Sequence, residues 1–175
     1  MSMGRSLVFH VAGRPAPQGS KRYLGLKNGR GVMVDSSKYL APWREAVKWA
    51  ALEAAREAGW CVLLSTCQLE VVFHLARPKY HYRGGDPVKG LKPGMETLVG
   101  RPPDLSKLVR STEDAITDAG VWGDDGQIGR AVVEKRWCAP GMEGADVIVT
   151  ELVEPARHDV PPTGGDSQPL LIGGI

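Results

Sequence analysis

The stretch RPPDLSKLVRSTEDAITDAGVWGDDGQI, residues 101–128, decides the fold. Two prolines followed by Asp104 form a helix-start signal, because aspartate is a favoured N-cap and proline cannot continue a preceding helix. Leu105, Leu108, Val109, Thr112, Ala115, Ile116 and Ala119 then recur at helical spacing. The spacing predicts an amphipathic helix over Leu105–Ala119 with one apolar face. Gly120 ends it. Gly123-Asp124-Asp125-Gly126 reads as a turn, and Ile128–Trp137 as a strand with a charged end at Glu134, Lys135 and Arg136. Carboxylates thus stand before and after one helix. In a straight helix Asp104 and Asp125 would lie ~25 Å or more apart. They approach only if the chain turns back after Gly120.

Upstream, Arg77–Pro102 has no usable periodicity, and a loop of this length is usually functional or disordered. It holds Lys79, Arg83, Lys89, Lys92 and Arg101 beside Tyr80 and Tyr82. Such interleaving suits contacts to a DNA backbone and stacking on bases. Between Arg77 and Arg110 there are eight Lys/Arg against three Asp/Glu, so this segment carries the positive charge that the net +2 hides.

The remaining elements are simpler. Leu7–Ala12 reads as a strand in which His10 is an ordinary side chain. Arg22–Leu26 and Gly31–Val34 read as hairpin arms around Asn28-Gly29, carrying Lys21 and Arg22 as DNA contacts. Ser36-Ser37 is expected to cap a helix over Pro42–Ala58, rich in alanine, with Trp43 and Trp49 as core or interface residues. In the strand Cys67–Leu75, Cys67, Leu69, Val71, Phe73 and Leu75 alternate onto one face and His74 points the other way. Ala145–Val153 is the last strand. The expected organisation is one domain over residues 1–153 and a flexible Pro/Gly-rich tail over 154–175.

Composition narrows the class. At 175 residues with 42% hydrophobic side chains, the chain can build a core without disulfide staples. Cys61, Cys67 and Cys138 show no zinc spacing and are read as reduced core or near-core thiols. No apolar run reaches the ~18 residues of a membrane span, and no signal-peptide pattern opens the chain. The expected location is the cytoplasm, with no membrane partner.

The motif PPDLSKLVRSTEDAITDAGVWGDDGQI resembles the signature of RusA-like Holliday junction resolvases. That signature runs Pro-Asp-x-Asp-Asn-x-x-Lys, then a helix with an internal Asp-Ala-Leu, then Asp-Asp-x-Gln. GRPAPQGSKR and SSKYLAPWREAVKWAA resemble the start of phage-type members, so the resemblance covers most of residues 5–153. It implies an α+β fold, a small mixed sheet packed by two main helices, and a homodimer that binds four-way DNA junctions. It also implies cleavage dependent on Mg²⁺, with Mn²⁺ as an alternative. Carried over residue by residue, it implies Asp104 and Asp125 as catalytic carboxylates, with Asp124 beside them as a further metal ligand. The second aspartate falls on Ser106, the asparagine on Lys107, the lysine on Arg110 and the internal aspartate on Asp114. Ser106 is the departure. A hydroxyl is a weaker Mg²⁺ ligand than a carboxylate. Glu113, two turns away at ~10.5 Å, reads as a poor replacement. The resemblance therefore leaves a second reading, a junction-binding protein with weakened or lost catalysis.

Overall fold

The computed structural model describes residues 2–19, 21–27, 30–35 and 37–153, with the backbone alone at 2–3, 21–24, 26–27 and 30–35. The side chains of Lys21 and Arg22, expected to contact DNA, and the tail at 154–175 lie outside the described residues.

The elements follow the order β1 (Ser2–Ala12), β2 (Lys21–Lys27), β3 (Arg30–Asp35), α1 (Leu40–Glu57), β4 (Cys67–Ala76), α2 (Leu105–Asp118), β5 (Ile128–Cys138) and β6 (Gly144–Val153). Four strands form one sheet in the order β1-β6-β4-β5, and β2 and β3 form a separate hairpin. The β4–β5 pair is parallel, while β1–β6 and β4–β6 are antiparallel. The sheet is mixed for a covalent reason: the connection from β4 to β5 contains α2, and a parallel neighbour needs such a long crossover. This is the expected small α+β domain with two main helices on a mixed sheet.

The period-2 pattern fixes which face is covered. Leu7, Phe9 and Val11 of β1, Leu69, Val71 and Phe73 of β4, and Val147 and Val149 of β6 are buried together with Trp43, Val47, Leu108 and Ile116 of the helices. Both helices therefore lie on this one face. They are joined to each other by the Trp43 indole donating to Thr112 Oγ1 at 3.2 Å. Arg44 adds contacts to Asp114 at 3.3 Å and Asp118 at 2.9 Å. Asp114, which the motif supplies, is thus spent on helix packing.

Several expectations change. The N-cap of α1 is Tyr39 and makes no side-chain cap bond; of the expected Ser36-Ser37 cap, Ser36 lies outside the described residues and Ser37 accepts from Leu40 N only through its backbone carbonyl, at 3.2 Å. Cys61 is exposed rather than near the core, whereas Cys67 is buried. Trp43 is a core residue, but Trp49 is 67% exposed, because it faces away from the sheet on α1. The segment from Arg77 to Pro102 is ordered. It winds through three 3-10 turns, Lys79–His81, Arg83–Gly85 and Pro87–Lys89. It is then laced to β5 by Val99 N–H donating to Lys135 O and Trp137 N–H donating to Thr97 O.

Candidate active site

Asp104 is the N-cap residue of α2, as its sequence context predicts, but its side chain makes no capping bond. The carboxylate instead lies 3.1 Å from Lys107 Nζ, one turn along the helix. An aspartate that leaves its helix uncapped gives up ~1 kcal/mol of local stability and keeps its oxygens directed outward. Four hydrogen bonds hold the start of this helix from two sides. Lys135 Nζ on β5 donates to Arg101 O at 2.7 Å and Pro103 O at 2.8 Å. On the other side, Gln18 N–H donates to Lys107 O at 2.9 Å and Ser111 Oγ to Ala16 O at 2.7 Å. Sequence reasoning missed Lys135. Its partners are backbone carbonyls more than thirty residues away, and no side-chain pattern announces such a bond.

Ser106, Lys107 and Arg110 are exposed on α2, and Glu113 is half-buried on the same stripe. At 100° per residue, positions 106, 110 and 113 fall within a narrow arc. The opposite edge of the exposed surface, Asp114 and Asp118, is occupied by Arg44. The Ser106–Arg110–Glu113 edge is therefore the part of α2 left for chemistry.

Asp125 sits in a 3-10 turn, Asp125–Gln127, that leads into β5. Gln127 builds this turn. Its Oε1 accepts from Gly123 N at 2.8 Å and Asp124 N at 2.9 Å. Its Nε2 donates to Leu63 O and Ser65 O, both at 3.0 Å. The glutamine of the motif thus anchors the loop that carries Asp125. Asp124, expected as a metal ligand, accepts from Gly126 N through Oδ1 at 2.8 Å and caps the turn. A Cβ at position 126 would stand 2.7 Å from that same oxygen and would have to displace the Asp124 carboxylate.

The turn packs back against α2. Burial first, and then the negative charges of Asp125 and Asp114, push the Glu113 carboxyl above its usual range, with Arg110 opposing them. The turn thus brings Asp125 close enough to α2 for its charge to act on Glu113. Asp104 lies nine positions before Glu113, roughly 13 Å along the axis. Asp104 is paired with Lys107, while the charges of Asp125 and Arg110 act on Glu113. Helical spacing gives the distance of Glu113 from Ser106 but not the direction in which the Asp125 loop folds.

Among the described residues, no three His, Cys, Asp or Glu side chains are gathered in a way that could hold a metal ion. The donors nevertheless suit a hard cation in kind and in number. Mg²⁺ takes oxygen ligands, keeps several waters and is commonly held by one or two carboxylates. Glu113 and Asp125 supply two that repel each other, which a cation would relieve.

The expected DNA contacts Lys79, Arg83, Lys89, Lys92 and Arg101 are all exposed. Arg101 lies over the Tyr80 ring at 5.7 Å from its centre. Tyr80 is half exposed, but Tyr82 is 5% exposed and is packed under the turns, so it is not a stacking platform. His81 is buried against Trp137, their ring centres 5.3 Å apart. Burial first, and then the charges of Arg77 and Arg101, hold its imidazole below the ordinary range.

A search of curated proteins returned no match. Residues 12–143 match the family described as endodeoxyribonuclease RusA. That span runs from the end of β1 to the entry of β6 and contains α2, the Asp124–Gln127 turn and the basic segment that precedes α2. With the greater part of its length matched, this chain belongs to the RusA endodeoxyribonuclease family.

Proposed function

We propose that the protein is an active, divalent-metal-dependent Holliday junction endonuclease, in which Glu113 supplies the carboxylate charge that Ser106 lacks. The family match carries the nuclease class and its branched DNA substrate. The observation that favours retained activity is that the Asp125 turn packs against α2, where the charges of Asp125 and Arg110 act on Glu113. Asp125 and Glu113 are the residues that would hold Mg²⁺, with Asp104 at the head of the helix as the further carboxylate. When bound, the ion supplies an activated water and stabilises charge on the phosphodiester.

The protein's own groups do the rest. Lys107 and Arg110 are both exposed on α2 and offset negative charge on the scissile phosphate. Lys107 also pairs with Asp104 and steadies its carboxylate. The Arg110 guanidinium serves as a fixed cation, not as a proton donor. Glu113 must lose its proton before it can hold a cation. Lys79, Arg83, Lys89, Lys92 and Arg101, with Lys21 and Arg22 of the hairpin, provide the surface for the DNA arms. A homodimer would give the paired sites that two symmetric incisions need.

The test is cleavage of a synthetic four-way junction with Mg²⁺ or Mn²⁺. Asp125→Asn and Glu113→Gln should each lose at least the roughly 10–100-fold that loss of even an outer partner of a metal site costs. Ser106→Asp should change the rate much less than either. Junction binding without any cleavage by the wild type would establish the weakened-catalysis reading instead. Full activity in Glu113→Gln would remove Glu113 from the site.

A further inference from the structure

A cleft of about 800 Å³ lies beside the carboxylate site. One wall is the strap of Arg14–Pro17 that follows β1, and another is Pro102-Pro103, immediately before Asp104. Both walls are fixed by contacts already described. Ser111 Oγ holds the carbonyl of Ala16, and Lys135 holds the carbonyls of Arg101 and Pro103. The cleft is therefore set in place by the same bonds that position the start of α2.

The lining has two kinds of surface. Proline rings, Leu75, Ala76 and the Trp137 indole form flat apolar walls. Arg14, Arg77 and Lys79 add three cations, against the single carboxylate of Glu143. Arg14 lies over the Tyr39 ring, 4.4 Å from its centre, so cation and aromatic form one platform at the rim. A bare phosphate would meet cations but leave the apolar walls unused and face Glu143. A hydrophobic ligand would leave the three cations unused. A nucleotide satisfies both sets. Its base stacks on prolines and Trp137, its phosphate meets the cations, and a base amine can donate to Glu143. The volume falls within the ~300–1,000 Å³ usual for small-ligand pockets. A base inside paired duplex cannot enter such a space; it must first leave the stack.

We propose that this cleft receives one unpaired nucleotide of the DNA strand at the branch point, beside the Asp104 end of α2. The proposal rests on the junction-nuclease reading and adds a capture site to it. At a branch point the continuous stacking of the arms is interrupted, which lowers the cost of leaving the stack, so a pocket for one displaced nucleotide favours branch points over the uniform duplex of the arms.

The experiment uses the full chain and a four-way junction carrying 5-iododeoxyuridine at the branch point, or at a matched site within one arm, in Ca²⁺ to prevent cleavage. Irradiation should cross-link the branch-point base to peptides containing Tyr39 or Trp137, with the arm position giving at least tenfold less. Ala76→Trp, at an exposed position that lines the cleft, should reduce that cross-link tenfold while junction affinity changes less than threefold. Ala76→Leu, a smaller filler, should reduce it by a lesser factor in the same direction. Cross-links that map outside the cleft, or a yield unaffected by both fillings, overturn the capture site and leave the nuclease reading intact. Failure to bind the junction at all overturns both.

Discussion

Glu113 and Gln127 illustrate how single residues define this site. Glu113 is half-buried, and its carboxyl is held above the usual range by burial and by Asp125 and Asp114. A raised carboxyl means that the folded state binds a proton the unfolded chain has already released. In the window between the unfolded and folded values, stability falls as pH rises, and the penalty is complete above the folded value. Glu113→Gln should therefore raise the melting temperature of the metal-free protein near pH 8 and leave it unchanged below the unfolded carboxylate value, at about pH 4. The same titration gives the opposite slope for function. Metal affinity of the wild type should climb as pH passes upward through the raised value, and titration calorimetry with Mn²⁺ should show a shallower climb in the variant. A flat profile in the wild type would exclude Glu113 as a ligand. Gln127 acts through structure. Its amide makes four hydrogen bonds, to Gly123 N, Asp124 N, Leu63 O and Ser65 O. Gln127→Ala should cost roughly 1–3 kcal/mol through the groups it leaves unpaired, and cleavage should fall because Asp125 loses its fixed turn. Retained stability with retained cleavage would show that the turn holds itself.

At the level of elements, α2 works because its flanks are divided. Its apolar stripe faces the sheet, one exposed edge is tied to α1 through Arg44, and the other carries Ser106, Arg110 and Glu113 toward the Asp125 turn. The helix, its ends and the strands were legible because burial follows periods of 3.6 and 2. The bonds that locate the helix were not. Lys135 reads as one charge in a polar strand end, yet its ammonium holds the two carbonyls that precede Asp104. Lys135→Met keeps the length of the stem and removes the donor. It should lower the cleavage rate more than it lowers junction affinity, because Asp104 is displaced while the basic loop remains. An equal loss in both would mean that Lys135 contacts DNA itself. The open face of the sheet carries another unannounced link. Asp146 accepts from His10 Nδ1 and His74 Nε2, each at 2.7 Å, and so joins β1, β6 and β4. Burial pushes its carboxyl up, but the two histidine bonds outweigh that and hold it below the ordinary range. Read singly, each histidine looked like a plain strand residue, since register alone brings the three together.

Over the whole molecule, charge placement matters more than charge total. A formal net charge of +2 would not single out a DNA-binding protein, and composition was silent for that reason. The segment between β4 and α2 collects cations on three ordered turns laced to β5, next to the helix that carries the carboxylates. If the DNA arms lie across these turns, each phosphate contact releases counterions, and affinity falls with salt at a slope of about −0.9 per contact. Replacing Arg83 and Lys89 with alanine should then flatten the plot of log affinity against log salt by up to about 1.8. Replacing Lys48 and Arg56 on α1 removes the same two charges from the chain. It should leave the slope nearly unchanged, because screening confines exposed charges to roughly 8 Å at physiological ionic strength. Fluorescence anisotropy with a labelled four-way junction measures both slopes. Equal flattening by the two pairs would mean that binding responds to net charge alone, and the ordered turns would lose their standing as the DNA surface. Flattening by the Arg83 and Lys89 pair alone would place the arms over the turns, with the cleft beneath Lys79 and the Asp104 end of α2 on the path of the exchanging strand.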